Sequence, residues 1–140
     1  MECAVYIIKP EAFGYRDQIH RILNEAGLTI TRVKTLVLPP EALAQLYPGL
    51  PVDLWNATMK FMRAGPSEIG IIEGKNAICR LTELAGHAVA PTECFPNTIR
   101  RRFGVATGIE MGTCVYYLNG FHRSCNKSEM MSDIELFDRL

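Results

Sequence analysis

The chain predicts an α+β domain with short strands and interspersed helices, on three observations. Brief apolar, β-branched runs such as Cys3–Ile8 are too short for helices and read as buried strands, and Leu28–Leu38 alternates in the manner of a longer one. Between them, Arg16–Ala26, Pro51–Met62 and Asn76–Ala85 carry apolar residues at helical spacing. Glycine or proline punctuates the boundaries: Lys9-Pro10, Gly27, Pro39-Pro40, Ala64-Gly65-Pro66 and Gly86. No internal period of roughly 20–50 residues and no low-complexity tract is present, and 140 residues suit one domain with a real core.

The elements follow in order. Cys3–Ile8 is the first strand, stopped at Lys9-Pro10, and Pro10–Tyr15 is a turn. Arg16–Ala26 is a helix with Ile19, Ile22, Leu23 and Ala26 on one side and Gly27 just past its end. Leu28–Leu38 is the second strand, ended by the proline pair. Pro40–Tyr47 is a short helix with proline at its start, and Pro51–Met62 a second one. Ser67–Glu73, with its I-G-I-I run, is the third strand, and Asn76–Ala85 is a helix closed by Gly86. An irregular stretch occupies Gly86–Thr98, Cys114–Leu118 reads as the fourth strand, and Asn126 with Glu129 forms a capping box for a last helix bearing Ile134 and Phe137. This order fits a ferredoxin-like βαββαβ plan with helices on one face of a sheet. Strands separated by helices also fit a parallel open sheet, and periodicity does not choose between the two.

Composition narrows the function classes. Fifteen basic residues balance fifteen acidic ones, so bulk charge points to neither nucleic acid nor an anionic membrane, and anion binding has to come from local clustering. The five cysteines, Cys3, Cys79, Cys94, Cys114 and Cys125, form no C-x-x-C pair and no zinc spacing with histidine, so a reduced, cytoplasmic protein with no metal-ligating residues is expected. The N-terminal M-E-C-A-V-Y-I-I-K-P lacks the pattern of a signal peptide, and no run is long enough to span a bilayer. Gly70–Asn76 resembles a phosphate loop only superficially: three residues separate its glycines where four are needed, and Asn76 follows the lysine in place of Ser or Thr.

Several short stretches carry candidate chemistry. Lys9 ends a strand, where an ammonium can reach a phosphate at a sheet edge. Arg100-Arg101-Arg102 offers guanidiniums that bind phosphate oxygens bidentately; if extended, Arg100 and Arg102 point one way and Arg101 the other. The chain's last histidine sits in Asn119-Gly120-Phe121-His122-Arg123-Ser124.

Taken together, I-I-K-P-E-A, A-G-P, E-G-K-N-A, P-N-T-I-R-R-R-F and N-G-F-H-R-S, in that order over roughly Ala4–Phe137, resemble the nucleoside diphosphate kinase family. The resemblance implies one domain over residues 1–140, a ferredoxin-like α+β sandwich with a four-stranded antiparallel sheet. It implies that His122 accepts and returns a phosphoryl group, so that phosphate passes from a nucleoside triphosphate to a nucleoside diphosphate with ping-pong kinetics. Lys9 then reaches the transferred phosphate, Tyr47 packs beside it, Arg100 holds nucleotide phosphates and Asn119 the ribose hydroxyls. Ser124 matches the serine after the histidine, and Asp133 falls where a glutamate orients the imidazole. Mg²⁺ carried by the nucleotide phosphates is the implied cofactor, and a homo-oligomer, hexameric in most of the family, the implied assembly.

The chain departs from the family's wording at defined points. Arg123 replaces a glycine, and Asp133 is one methylene shorter than glutamate. Thr82 takes the place of a second phosphate-binding arginine, and Ala88 that of a threonine for which Thr92 substitutes only if the loop is rearranged. Leu54 aligns with the aromatic on which the base stacks, with Trp55 next to it. Gly104–Tyr117 is a longer link than the family uses, with disorder or an altered cleft wall expected there. An active phosphotransferase is the first expectation, and a catalytically weak or inactive nucleotide-binding or scaffold protein of the same fold the second. RNA binding is disfavoured for want of an aromatic RNP-type strand.

Overall fold

A computed structural model describes residues 1–140. Strand β1 (Glu2–Ile8) is its centre, as an unbroken apolar run requires. It pairs antiparallel with β3 (Ser67–Gly74) on one side, Val5 opposite Ile71, and with β6 (Phe121–Arg123) on the other, Ile7 opposite His122. Strand β2 (Thr29–Leu36) pairs antiparallel with β3 and forms one edge, giving the order β2-β3-β1-β6. That is the ferredoxin-like plan, and it disposes of the parallel alternative.

Helices α1 (Arg16–Glu25) and α4 (Ala77–Ala85) cover one face, where Ala4, Tyr6 and Ile8 meet Ile19, Leu23, Ala77 and Leu81. The other face is covered too, contrary to the one-sided packing expected. There Val5 and Ile7 meet Leu43 of α2 (Pro40–Leu46), Met62 of α3 (Val52–Met62), and Leu136 and Phe137 of α6 (Lys127–Arg139). The reason lies in β1 and β3: with successive side chains on opposite faces, strands with apolar residues at consecutive positions, Ala4–Ile8 and Ile71-Ile72, need cover on both.

The fourth strand also differs from expectation. Cys114–Tyr116 (β5) pairs only with Ile109–Met111 (β4), in a separate hairpin. Its two-residue turn is Gly112-Thr113, with Gly112 at φ +59°, the left-handed conformation that such turns demand of their first residue. The sheet instead takes β6, whose three residues are too few to show a period. Asn126 caps α6 as expected: its Oδ1 accepts from the Glu129 N–H at 2.9 Å and its amide donates to the Glu129 carboxylate at 3.0 Å. No helix is long and apolar enough to cross a membrane, and all five cysteines are free thiols.

Candidate functional site

The site is assembled where two loops clasp each other. Pro10 ends β1 and begins a 3-10 turn over Pro10–Tyr15. The Lys9 N–H then donates to the Gly120 carbonyl at 2.9 Å, and the Gly120 N–H donates to the Glu11 carboxylate at 2.9 Å. Gly120 sits at φ +80°, a turn that lets the chain pass from Asn119 into β6. The K-P-E and N-G-F segments are thereby locked together, which brings Lys9, Asn119 and His122 to one wall.

That wall bounds a cavity of about 220 Å³, completed by Tyr47, Leu54, Thr58, Arg100 and the hairpin residues Val115–Tyr117. Lys9, Arg100 and Asn119 are each less than a tenth exposed. Burial lowers the Lys9 pKa to about 8, against the attraction of Glu11 and with added repulsion from Arg100. Burial also lowers the pKa of His122; Asp133 opposes that fall, and Lys9 and Arg100 add to it. The His122 ring meets Tyr47 edge-on, centroids 5.3 Å apart, and the Lys9 ammonium lies 5.7 Å from the Tyr47 ring centroid. The Tyr47 hydroxyl is buried without a partner, and burial raises its pKa.

Behind the imidazole lie Asp133 and Ser124. His122 Nε2 is buried without a hydrogen bond, 3.9 Å from Asp133 Oδ2, beyond hydrogen-bonding distance. Ser124 ties the carboxylate to the sheet: its Oγ accepts from the Val5 N–H at 3.1 Å and lies 3.1 Å from Asp133 Oδ2.

The three arginines are not extended. They form most of helix α5 (Ile99–Phe103), with the Thr98 hydroxyl accepting from the Arg101 N–H at 3.3 Å as its cap. Neighbours on a helix are about 100° apart, so the three point three ways and none pair as strand alternation implied. Arg100 turns inward, donating to the carbonyls of Phe121 (3.0 Å) and Ala88 (3.1 Å). Arg101 holds the Thr92 and Cys94 carbonyls, and Arg102 covers the Phe103 ring. Burial, then repulsion from Arg123, lowers the pKa of Arg100.

Other expected residues lie elsewhere. Thr82 is outside the cavity: its hydroxyl donates to the Ile78 carbonyl one turn back at 2.9 Å, and it borders a separate depression with Cys125 and Lys127. Thr92 is exposed and absent from the cavity wall. Arg123 does not line the cavity either, since strand alternation turns it away from the side His122 faces; its Nη1 lies 2.6 Å from Cys125 Sγ. Leu54 takes the cavity position, while Trp55 packs against the core beneath α2 and α6. Gly104–Tyr117 contains the β4–β5 hairpin, and its Val115–Tyr117 segment lines the cavity. Sequence reasoning missed Glu11, Thr58, Val115, Tyr116 and Tyr117. Only Glu11 carried a signal, its place beside Lys9 in I-K-P-E.

Asn119 holds Val89 through its amide, which donates to the Val89 carbonyl at 3.2 Å, while its Oδ1 is buried without a donor. The site thus offers two buried cations, an unpaired amide oxygen, a buried imidazole and an apolar wall, an arrangement able to receive an anion attached to a polar, partly apolar body.

Comparison with known proteins accords with this chemistry. A family model described as "Nucleoside diphosphate kinase" matches residues 2–139. The chain is 33% identical over 114 residues to the nucleoside diphosphate kinase of Chlamydia abortus, covering 78% of this chain and 79% of that one. It is 32% identical over 111 residues to human thioredoxin domain-containing protein 3, covering 76% of this chain and 19% of that longer protein. A nucleoside-diphosphate kinase from Borrelia burgdorferi, solved as a transition state mimic with bound vanadate and ADP, shares the fold with a TM-score of 0.82 at 21% identity, over 97% of this chain and 86% of that one.

Proposed function

Because the chain belongs to the nucleoside diphosphate kinase family, we propose that it moves the terminal phosphate of a nucleoside triphosphate to a nucleoside diphosphate through a phosphohistidine on His122. The observation that carries this reading is the imidazole on the wall of a cavity that Lys9 and Arg100 also line. Nε2 is the ring nitrogen on the Asp133 side, 3.9 Å from the carboxylate; that negative charge favours the tautomer with the proton on Nε2, which leaves the Nδ1 lone pair for attack. Burial keeps the ring neutral near pH 7, as a nucleophile must be. The lone pair forms a P–N bond to the terminal phosphorus, the P–O bond to the leaving diphosphate breaks, and the diphosphate departs with the electron pair. A terminal oxygen of the second diphosphate then attacks the same phosphorus, and the P–N bond returns its electrons to the ring.

Such transfer depends on positioning and on neutralising oxygen charge. Lys9 meets the transferred phosphate, and Arg100, already fixed by three carbonyls through Nε and Nη1, has its Nη2 donors left for the adjoining one. Asn119 Oδ1 accepts from a ribose hydroxyl. Ser124 and Asp133 position the imidazole from behind. Mg²⁺ enters as part of the substrate, on the nucleotide phosphates, where it screens their charge; no cluster of His, Cys, Asp and Glu suited to a metal ion exists in the chain. A homo-oligomer in the cytoplasm completes the reading.

The second reading, nucleotide binding with little turnover, draws on the 3.9 Å gap between His122 and Asp133 and on Thr82 lying away from the cavity. Incubation with γ-labelled ATP decides between them. Acid-labile label on the protein, absent in His122→Ala and discharged by added GDP, is the expected result. Nucleotide binding with no label at all selects the second reading.

A further inference from the structure

The cavity wall holds two cations, Lys9 and Arg100, and no carboxylate. The acidic groups that act on it stand behind it. Asp133 acts on His122, and Glu11 acts on Lys9. Glu11 is half-buried and borders a separate small depression with Pro10, Phe61, Ala64 and Leu118.

The Glu11 carboxylate has a fixed partner. Its Oε2 accepts from the Gly120 N–H at 2.9 Å, while the Lys9 N–H donates to the Gly120 carbonyl at 2.9 Å. Both backbone polar groups of Gly120 are thus held from the K-P-E segment. The approach is close: Gly120 sits at φ +80°, and a Cβ there would lie 3.0 Å from the Ala12 Cβ, one residue past Glu11. Strand β6 begins at the next residue, Phe121, so this clasp sets where Asn119 and His122 stand on the wall.

The charge of Glu11 has a second effect. Around Lys9 stand Arg100 from α5, Tyr47 from the end of α2, His122 from β6, Tyr116 and Tyr117 from the hairpin, and Glu11 from its own turn. Burial and Arg100 disfavour the Lys9 ammonium, and Glu11 favours it. Yet Glu11 and Lys9 form no salt bridge. The ammonium is left free for an anion in the cavity, while an opposite charge nearby still supports it.

We propose that Glu11 is a positioning residue for phosphoryl transfer, its carboxylate fixing the Gly120 turn and its charge supporting the Lys9 ammonium from outside the cavity. The assignment rests on the phosphotransfer reading and adds to it a residue that touches neither the nucleotide nor the imidazole.

Glu11→Gln separates the two effects, because its amide oxygen still accepts from the Gly120 N–H but carries no charge. Calorimetric titration of the whole protein with inorganic tripolyphosphate at stepped pH reads Lys9. In Glu11→Gln the pH at which affinity falls is expected to move down by roughly one unit. Added to Lys9→Gln, the same substitution moves no step. Glu11→Ala removes the acceptor as well, and its rate of labelling by saturating γ-labelled ATP is expected to fall roughly tenfold or more below that of Glu11→Gln. An unmoved step in Glu11→Gln overturns the proposal, as does equal labelling in the two variants when thermal melts show both folded. If Glu11→Ala does not fold, the tripolyphosphate step in Glu11→Gln decides alone. A wild type that takes no label, but whose tripolyphosphate step moves in Glu11→Gln, upholds the role of Glu11 at Lys9 and overturns the phosphotransfer.

Discussion

Lys9 shows how much a single position decides. Its pKa of about 8, set first by burial, means that the empty site loses its ammonium as pH rises through about 8. Affinity for ADP is therefore expected to fall from neutral to alkaline pH, and titrations at stepped pH will show it; in Lys9→Gln the affinity is lower and this pH step is gone. The stability consequence has the opposite sign. Between about 8 and the ordinary 10.5, the unfolded lysine keeps a proton that the folded one has lost, so Lys9 adds stability as pH rises across that window. Lys9, Arg100, Asn119 and His122 were legible because short motifs named them in order. Thr82 was aligned with a phosphate ligand but lies on a helix phase that turns it away, and that phase is set by packing of Leu81 and Ala85.

Between strands, one close approach ties the site to the core. Gly70 of β3 faces Tyr6 of β1, and the Tyr6 ring fills the space where a Cβ would stand. The same ring stacks on Phe121 beside His122, and its hydroxyl donates at 2.7 Å to Glu68, a buried carboxylate whose Oε2 also lies 2.6 Å from His20 Nε2. Gly70→Ala is expected to lower Tm by roughly 3–10 °C, the cost of overpacking a filled core. In a Tyr6→Val background, thermal melts should show the alanine costing much less; an undiminished cost would place the strain elsewhere. Nothing in the pattern announced Glu68, since an acidic residue at a strand start reads as exposed until a histidine distant in sequence arrives on α1. Strand β6 was missed for a simpler reason, its three residues, whereas Cys114–Leu118 offered a longer run that the Gly112-Thr113 turn folds back onto Ile109–Met111.

At the scale of the molecule, two apolar layers on opposite faces of one sheet carry the fold, and the β4–β5 hairpin contributes to neither. Replacing Ala106–Val115 by a short link should leave a single cooperative melt, with Tm lowered by only about 3–5 °C for the loosened Tyr116–Phe61 stack. Loss of cooperative unfolding would show that the insertion is part of the core.

Local chemistry, written in order along the chain, was enough to establish the family, the strand-and-helix alternation and the main cavity residues, because prolines, glycines and apolar periods act on their own neighbours. What lay beyond it needed the folded chain: cover on both faces of the sheet, the inward turn of Arg100, the gap between His122 and Asp133, and the place of Val115–Tyr117 on the cavity wall. Each of these depends on distances between segments far apart in sequence, and packing alone sets those distances.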